Sequence, residues 1–331
     1  MQQRRLGSSG PVVSAMGLGC MGMSGMYGPS DRAEGSATIH AALDAGVTLL
    51  DTGDFYGMGH NELLIAETLR EVPRDSYQLS VKFGALRDPA GGWAGFDARP
   101  AALKTYLAYS LRRLGVDHID IYRPARLDPS VPIEETVGAI ADCIAKGWVR
   151  HIGLSEVGPE TLRRAAAVHP ISDLQIEYAL VSRGIEAEIL PTCRELGIGI
   201  TAYGVLSRGL ISGHWDKGRQ ATRDDFRAHS PRFAGRNLDA NLRVVERLRD
   251  VATALDLTAA QVAIAWVACQ GTDIVPLVGA RRRDRLAEAV EAIGIEFTPA
   301  EMAAIEAAVP AGSIAGERYP AAQMAMLDSE R

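Results

Sequence analysis

"GLGCMGMSG", residues 17–25, decides between two folds. It closes the first apolar run of the chain, "VSAMGLGCM", in a sequence that alternates apolar runs with segments of helical period. Such alternation builds either a doubly wound sheet or a barrel. A doubly wound sheet takes its dinucleotide at a GxGxxG turn between its first strand and first helix. The stretch is rich in glycine but offers no proper fingerprint at a strand-to-helix turn, so the count of strand–helix units has to settle the matter.

Reading outward, "VTLLDTG" precedes "NELLIAETLREV", "YQLSVKFG" precedes "PAALKTYLAYSLRRLG", and "HIDIYRPA" precedes "IEETVGAIADCIAKG". "VRHIGLS" precedes "GPETLRRAAAVH", "DLQIEYALV" precedes "IEAEILPTCRELG", and "IGITAYGVL" and "TDIVPLVG" complete the series. The runs are nearly continuous in apolar residues, as in parallel strands covered on both faces. Gly46, Gly115, Gly147 and Gly197 stand where helices end before the next strand. Eight units without a fingerprint predict a (β/α)₈ TIM barrel occupying 1–331 as a single domain. Residues 1–12 read as an N-terminal β-hairpin that plugs the bottom of the barrel. Residues 207–240, polar and charged, read as a long lid loop after strand seven; loops of that length are usually functional lids or disordered, and the plain alternative is a variable surface loop.

The chain has 331 residues, 47% of them hydrophobic, and a net charge of -6. A mildly acidic balance gives no electrostatic reason to expect nucleic acid or a membrane surface as partner. Cys20, Cys143, Cys193 and Cys269 form no CxxC pair, which argues against a zinc site or disulfide framework and fits a reducing cytoplasm. The polar N-terminus has no apolar core of the kind a signal peptide carries.

Barrel enzymes draw their chemistry from the C-terminal ends of strands. Asp51 ends strand two and Lys82 lies inside strand three, flanked by Val81 and Phe83. Buried Asp and Lys are rare unless paired, so the economical expectation is an ion pair across adjacent strands. Tyr56 follows Asp51 in the next loop. A cation beside its phenol would lower the pKa from about 10 and make it a proton donor near neutral pH. The residues alone equally allow a structural ion pair beside an unrelated loop tyrosine.

"GLGCMGMS", "LLDTGDFYG", "SVKFG", "VRHIGLSE", "LQIEYAL", "AYGVLSRGL" and "IVPLVGARRRDRLAEA" together resemble, in order and over nearly the whole chain, the signatures of the aldo-keto reductase superfamily. The resemblance implies reduction of aldehydes or ketones by hydride from NADP(H), bound without a Rossmann motif. It implies Tyr56 as general acid, Lys82 as the group that tunes it and Asp51 as the partner of Lys82. Ser155 and Gln175 match the residues that hold the nicotinamide carboxamide, and Tyr203 the aromatic that stacks on the ring. Met21, Asp51, Leu206, Arg208, Gly279 and Arg285 complete the cofactor positions. Arg281 matches the basic residue that meets the adenosine 2′-phosphate, a role that suits the planar guanidinium fork. Ala289 stands where many members carry an adenine-reading Asn.

One member of the family's catalytic set is missing. In "YRPARLDP", residues 122–129, Ala125 stands where the family has a histidine at the end of strand four. Side-chain alternation puts Arg123 on the same face as residue 125. Two outcomes are open: Arg123 points inward, pairs with Glu177 or Asp51 and reaches the vacated space, or Pro124 turns it outward and water fills that space. His60 is the nearest other histidine by sequence.

The expectation is thus an NADPH-dependent carbonyl reductase acting on a small molecule, with no metal. Two alternatives remain at this stage: an NADPH-binding regulatory module with little catalysis, and a dedicated oxidoreductase of a sugar, a pyridoxal or a natural product. In the latter case Trp93, Phe96 and Trp215 would line the pocket.

Overall fold

The glycines of the opening stretch do have GxGxxG spacing, at Gly17, Gly19 and Gly22, but they occupy the wrong elements for a dinucleotide turn. Residues Gly17–Gly19 are themselves a strand (β1), and Met21–Ser24 form a short 3₁₀ turn rather than opening a helix. The structure is a computed structural model that describes residues 1–331 except 216, 217, 219–221, 223 and 224.

From β1 the barrel continues through β2 (Leu49–Gly53), β3 (Gln78–Phe83), β4 (Ile119–Pro124) and β5 (Val149–Ser155). It closes with β6 (Ile171–Glu177), β7 (Gly199–Tyr203) and β8 (Ile274–Gly279). Each strand pairs in parallel with its sequence neighbour, and β8 returns to β1, so the eight form a closed barrel. Closure leaves no unpaired edge. Both strand faces are buried, one in the interior and one under helices, which is why the strands read as apolar runs.

Helices α1 (Arg32–Asp44), α2 (His60–Thr68), α3 (Pro100–Leu114), α4 (Ile133–Ala145), α5 (Pro159–Val168) and α6 (Ile189–Leu196) follow the first six strands. The predicted stops hold: α3 and α6 each end on a left-handed glycine, Gly115 and Gly197, where a side chain at Cβ would be strained. The N-terminal hairpin pairs Gln3–Arg5 with Val12–Ser14, and its Leu6 and Val13 join Leu49, Ile121 and Val275 near the N-terminal ends of the strands. The segment after β7 is shorter than expected. Gly235–Ala254 is a helix (α7), so residues 235–240 are not loop. Before it run 3₁₀ turns at Ser207–Ser212, Phe226–His229 and Pro231–Phe233. Residues 216, 217, 219–221, 223 and 224 of the expected lid lie outside the described residues. Helix α8 (Ala259–Ala268) leads into β8, and α9 (Arg283–Glu291) and α10 (Pro299–Ala308) follow it.

Arg123 points inward, as the first expectation had it, but with a different partner. It is completely buried inside the barrel, so Pro124 does not turn it out. Its partner is neither Glu177 nor Asp51 but Asp173, one step lower on β6, at 2.9 and 3.3 Å from the two guanidinium ends. Thr201 and Ser172 donate to the same carboxylate. The bidentate match of guanidinium and carboxylate, with hydroxyls on the remaining lone pairs, is what makes such a buried pair tolerable. Space comes from β5, where a Cβ on Gly153 would lie 2.8 Å from the Asp173 carboxylate and 3.0 Å from the Arg123 Cζ.

Asp173→Ala leaves the buried Arg123 cation uncompensated and is expected to destabilise by about 3–5 kcal/mol in denaturant unfolding. The double variant Arg123→Met, Asp173→Leu is expected to recover most of that loss, since it removes both charges.

Candidate active site

The C-terminal ends of the strands converge on one cavity of about 520 Å³. Asp51, at register with Ser80 on β3, and Lys82, at register with Gly53 and Arg123, both face it. The expected pair forms: the Lys82 ammonium binds the Asp51 carboxylate directly. Both are nearly inaccessible to solvent. Gln175 joins them from across the barrel, accepting from Lys82 Nζ at 2.8 Å and donating to Asp51 Oδ2 at 2.8 Å. Ser80 Oγ donates to the same Asp51 oxygen at 2.8 Å and accepts from Arg123 at 3.0 Å, linking the pair to the salt bridge beneath it.

Tyr56 is held over this network by a tight backbone. Gly57 and Met58 both take left-handed conformations, and Asp54 N donates to Lys82 O at 2.9 Å, tying the loop to β3. Phe55 packs edge-on against the Tyr56 ring with centroids 4.8 Å apart, and Lys82 Nζ lies 5.3 Å from the ring centroid. The expected direction of tuning is not what the structure gives. Burial first, then the Asp51 charge and the neighbouring Tyr27, push the Tyr56 phenol well above 10, with Arg126 opposing. Burial is the first reason, and charge balance is the second. Asp51 cancels the Lys82 cation at contact distance, so the pair presents little net positive field to the phenol. Lys82 is itself pushed down by burial against the pull of Asp51.

The expected cofactor residues gather on the same cavity. Ser155, Gln175, Tyr203, Met21, Leu206, Arg208, Gly279, Arg281 and Arg285 all line it together with Tyr56. Gly279 is exposed there, and a Cβ on it would project into the groove with only Gly19 O near it, at 3.8 Å. A bare backbone at that point fits the close approach of a large planar or phosphorylated ligand. Arg208 does not project freely. It donates to Arg318 O at 2.8 Å and lies 3.6 Å from Glu177. Arg281 donates to the carbonyls of Tyr27 and Pro29 at 3.0 Å each and of Gly28 at 3.3 Å, drawing the loop after β1 toward β8. Arg283 turns away to Glu34 on α1. Arg285 meets Glu288 and His214.

Among the described residues, no histidine replaces the missing one. His60 opens α2 and shares a hydrogen bond with Ser24, and it does not line the cavity. His214 lines it at the Arg285 end. Beside Tyr56 the wall is Ala125 and the next residue, Arg126. Sequence reasoning passed over Arg126, because strand alternation drew attention to Arg123 on the parity of residue 125.

It also passed over Glu156, which follows β5 in a left-handed conformation and is fully buried. Glu156 accepts from Arg318 at 2.9 and 2.6 Å, from Tyr203 OH at 2.7 Å and from Ser329 at 2.8 Å. Tyr203 OH also meets Tyr319 OH at 2.8 Å. The C-terminal segment is thereby strapped over the cavity mouth, where Tyr319, Gln323 and Met326 line the wall. The signal for Glu156 was an acidic residue directly after an apolar strand. Arg318 and Tyr319 had no periodicity to mark them.

Comparison with known proteins agrees with this picture. The profile of the "Aldo/keto reductase family" matches residues 15–310. The chain is 41% identical over 322 residues to "Probable aldo-keto reductase 1" of Glycine max, covering 96% of this chain and 92% of that protein. Among solved structures, it is similar to the glycerol dehydrogenase AKR11B4 from Gluconobacter oxydans, at TM-score 0.84 and 29% identity, covering 92% of this chain and 94% of that one. It is likewise similar to the aldo-keto reductase AKR11C1 from Bacillus halodurans in its holo form, at TM-score 0.77 and 25% identity, covering 94% and 97%.

Glu156 carries the pH dependence of the strap. Burial alone would raise its pKa, but Arg318, Arg126 and Tyr203 outweigh it and hold the carboxyl down to about 2. A depressed folded pKa contributes stability above the unfolded carboxyl value of about 4.3 and loses it as pH falls toward the folded value. Glu156→Gln is therefore expected to cost on the order of 3 kcal/mol at neutral pH and to flatten the fall in stability between roughly pH 4.5 and 2. Thermal unfolding across that range is the check.

Proposed function

The chain belongs to the aldo/keto reductase family and is an NAD(P)-dependent oxidoreductase, and from that premise we propose that it is an NADPH-dependent carbonyl reductase with Tyr56 as its general acid. One observation carries the reading: Tyr56 sits at the mouth of a closed Asp51–Lys82–Gln175 network inside the cavity that also holds the cofactor positions. A phenol pushed well above 10 is fully protonated at neutral pH, the state a proton donor needs. Asp51 and Lys82 act by orienting and neutralising the floor beneath it.

When bound, the nicotinamide supplies hydride to the carbonyl carbon. Ser155 and Gln175 would hold its carboxamide, Tyr203 its ring face, Met21, Asp51, Leu206, Arg208, Gly279 and Arg285 the remainder, and Arg281 the 2′-phosphate. Gln175 would do so with its second lone pair and second amide hydrogen, the first of each being used by Lys82 and Asp51. Arg281 would exchange the Tyr27–Pro29 carbonyls for the phosphate, a gain in hydrogen-bond strength because the new acceptor is charged.

The cavity favours bulky, largely apolar substrates. Phe55, Phe96, Trp93 and Phe226 line it, with Trp93 stacked beneath Arg87 at 4.0 Å and packed against Phe55 at 5.8 Å. Trp215 also lines it but is buried under Arg227 at 4.8 Å, so its role is to support the wall. Ala125 removes the steric bulk of a ring beside the reacting carbon. The aromatic lining favours a natural-product or aromatic carbonyl over a sugar. We place the enzyme, as one barrel domain, in the cytoplasm. All four cysteines are free, and no single helix among the described residues is long and apolar enough to cross a membrane.

Tyr56→Phe is expected to lower kcat for aromatic aldehydes by at least about 10²-fold while leaving the Kd for NADPH within a small factor, since only proton transfer is lost. Steady-state NADPH oxidation and fluorescence titration check the two halves, and full activity in the variant would sink the assignment. Arg281→Ala is expected to weaken NADPH binding by about tenfold or more and leave NADH binding nearly unchanged. Equal losses for both would remove the 2′-phosphate role.

A further inference from the structure

Arg126, like Arg227 and Arg282, is a cation of the cavity that the family reading does not use. It lies beside Tyr56 and Ala125, partly buried in the wall. Nη1 donates to the Ala125 carbonyl at 2.6 Å and lies 3.4 Å from Ser155 Oγ, and Nη2 lies 3.3 Å from Tyr319 OH. Its Cζ sits 5.8 Å from the Tyr319 ring centroid. These contacts fix the guanidinium plane and engage three of its five N–H groups, all with neutral acceptors.

Four other arginines of the same wall are balanced by carboxylates, and Arg281 is held by the carbonyls of Tyr27, Gly28 and Pro29. Arg208 lies 3.6 Å from Glu177, Arg227 is 2.5 Å from Asp225, Arg282 is 2.6 Å from Asp284 and Arg285 is 3.3 Å from Glu288. Arg126 has no carboxylate within ion-pair distance among the described residues. The nearest candidates are taken: Asp51 belongs to Lys82, and Glu156 accepts two bonds from Arg318. Burial opposes the Arg126 charge, but Tyr319, Tyr203 and Glu156 outweigh it without any direct carboxylate contact, so the remaining N–H groups of this positioned guanidinium are open to a charged acceptor that a ligand supplies. The planar fork matches a carboxylate, and a carboxylate of aromatic or aliphatic acids would sit in the room left by the short Ala125 side chain.

We propose that Arg126 is a substrate-binding residue that receives a carboxylate next to the reacting carbonyl, so that the preferred substrates are 2-oxo acids with an apolar or aromatic tail. The proposal rests on the reductase reading for its reaction. The carbonyl carbon accepts hydride from NADPH, the C=O double bond becomes a C–O single bond, and the oxygen takes the Tyr56 proton, which solvent restores. The products are a 2-hydroxy acid and NADP⁺. The tail lies along Phe55, Trp93 and Phe96, and the carboxylate meets the free edge of Arg126. The guanidinium thus occupies the flank of the carbonyl that a histidine takes elsewhere in the family, and it selects by charge.

The test compares phenylglyoxylate with its methyl ester, which keeps the same ketone and removes the charge. Wild-type enzyme is expected to prefer the acid in kcat/KM by about tenfold or more. Arg126→Met is expected to lower that acid-to-ester ratio by about tenfold or more, and Arg126→Lys to keep part of it, because ammonium retains charge without the fork. A second readout needs no turnover: calorimetric binding of mandelate to the NADP⁺-loaded protein, expected to weaken about tenfold or more in Arg126→Met. A wild-type ratio near one, a ratio unchanged in Arg126→Met, or equal mandelate binding by both proteins would overturn the proposal. Absence of any carbonyl turnover would instead count against the reductase reading, and mandelate binding would then decide the role of Arg126 by itself.

Discussion

The ion pair of Lys82 with Asp51 is the constraint around which the upper barrel is arranged. A charge inside a barrel needs a partner, and each partner then needs its remaining lone pairs and protons satisfied. Gln175 closes the pair from β6 and Ser80 from β3, and Ser80 passes the network down to Arg123 and Asp173. The result is a column of two neutralised pairs running along the barrel interior. Its top presents Lys82 and Gln175 to the cavity, and its bottom occupies the core that aliphatic side chains would otherwise fill.

Neutralisation explains the electrostatics of the site. A lone lysine would pull the tyrosine toward phenolate, whereas a lysine cancelled by an aspartate leaves burial in command. The phenol therefore keeps its proton, and Arg126 lines the same pocket with no carboxylate in direct contact among the described residues. Glu156 plays the matching role at the mouth, where one buried carboxylate gathers Arg318, Tyr203 and Ser329 and holds the C-terminal segment in place.

Much of this was legible in the sequence, for physical reasons. Parallel strands buried on both faces leave continuous apolar runs, and left-handed glycines end helices, so the barrel could be counted out from Gly17 onward. Asp51 and Lys82 stood out because charge inside such a run has few explanations. Other features depended on distance. The side-chain parity of Arg123 was readable, but which of three acidic residues it would meet, Asp51, Asp173 or Glu177, depends on strand stagger. Arg126 follows Ala125 where the strand has ended and parity no longer predicts direction. Arg318 and Tyr319 belong to a tail with no repeat at all. Helix α7 was absorbed into the lid because its first turn, "GRNLDA", is as polar as the loop before it.

The central claim is that the neutralised pair leaves Tyr56 as an un-ionised phenol that donates the proton. Single-turnover reduction of an aromatic aldehyde, followed through NADPH absorbance from neutral pH upward, tests it most directly. The account predicts a rate that stays level up to about pH 10, the range of a free tyrosine. A rate that falls away well below that, with an apparent pKa near the usual range of a tuned phenol, would show that the Lys82 charge reaches the hydroxyl uncancelled and would contradict the account.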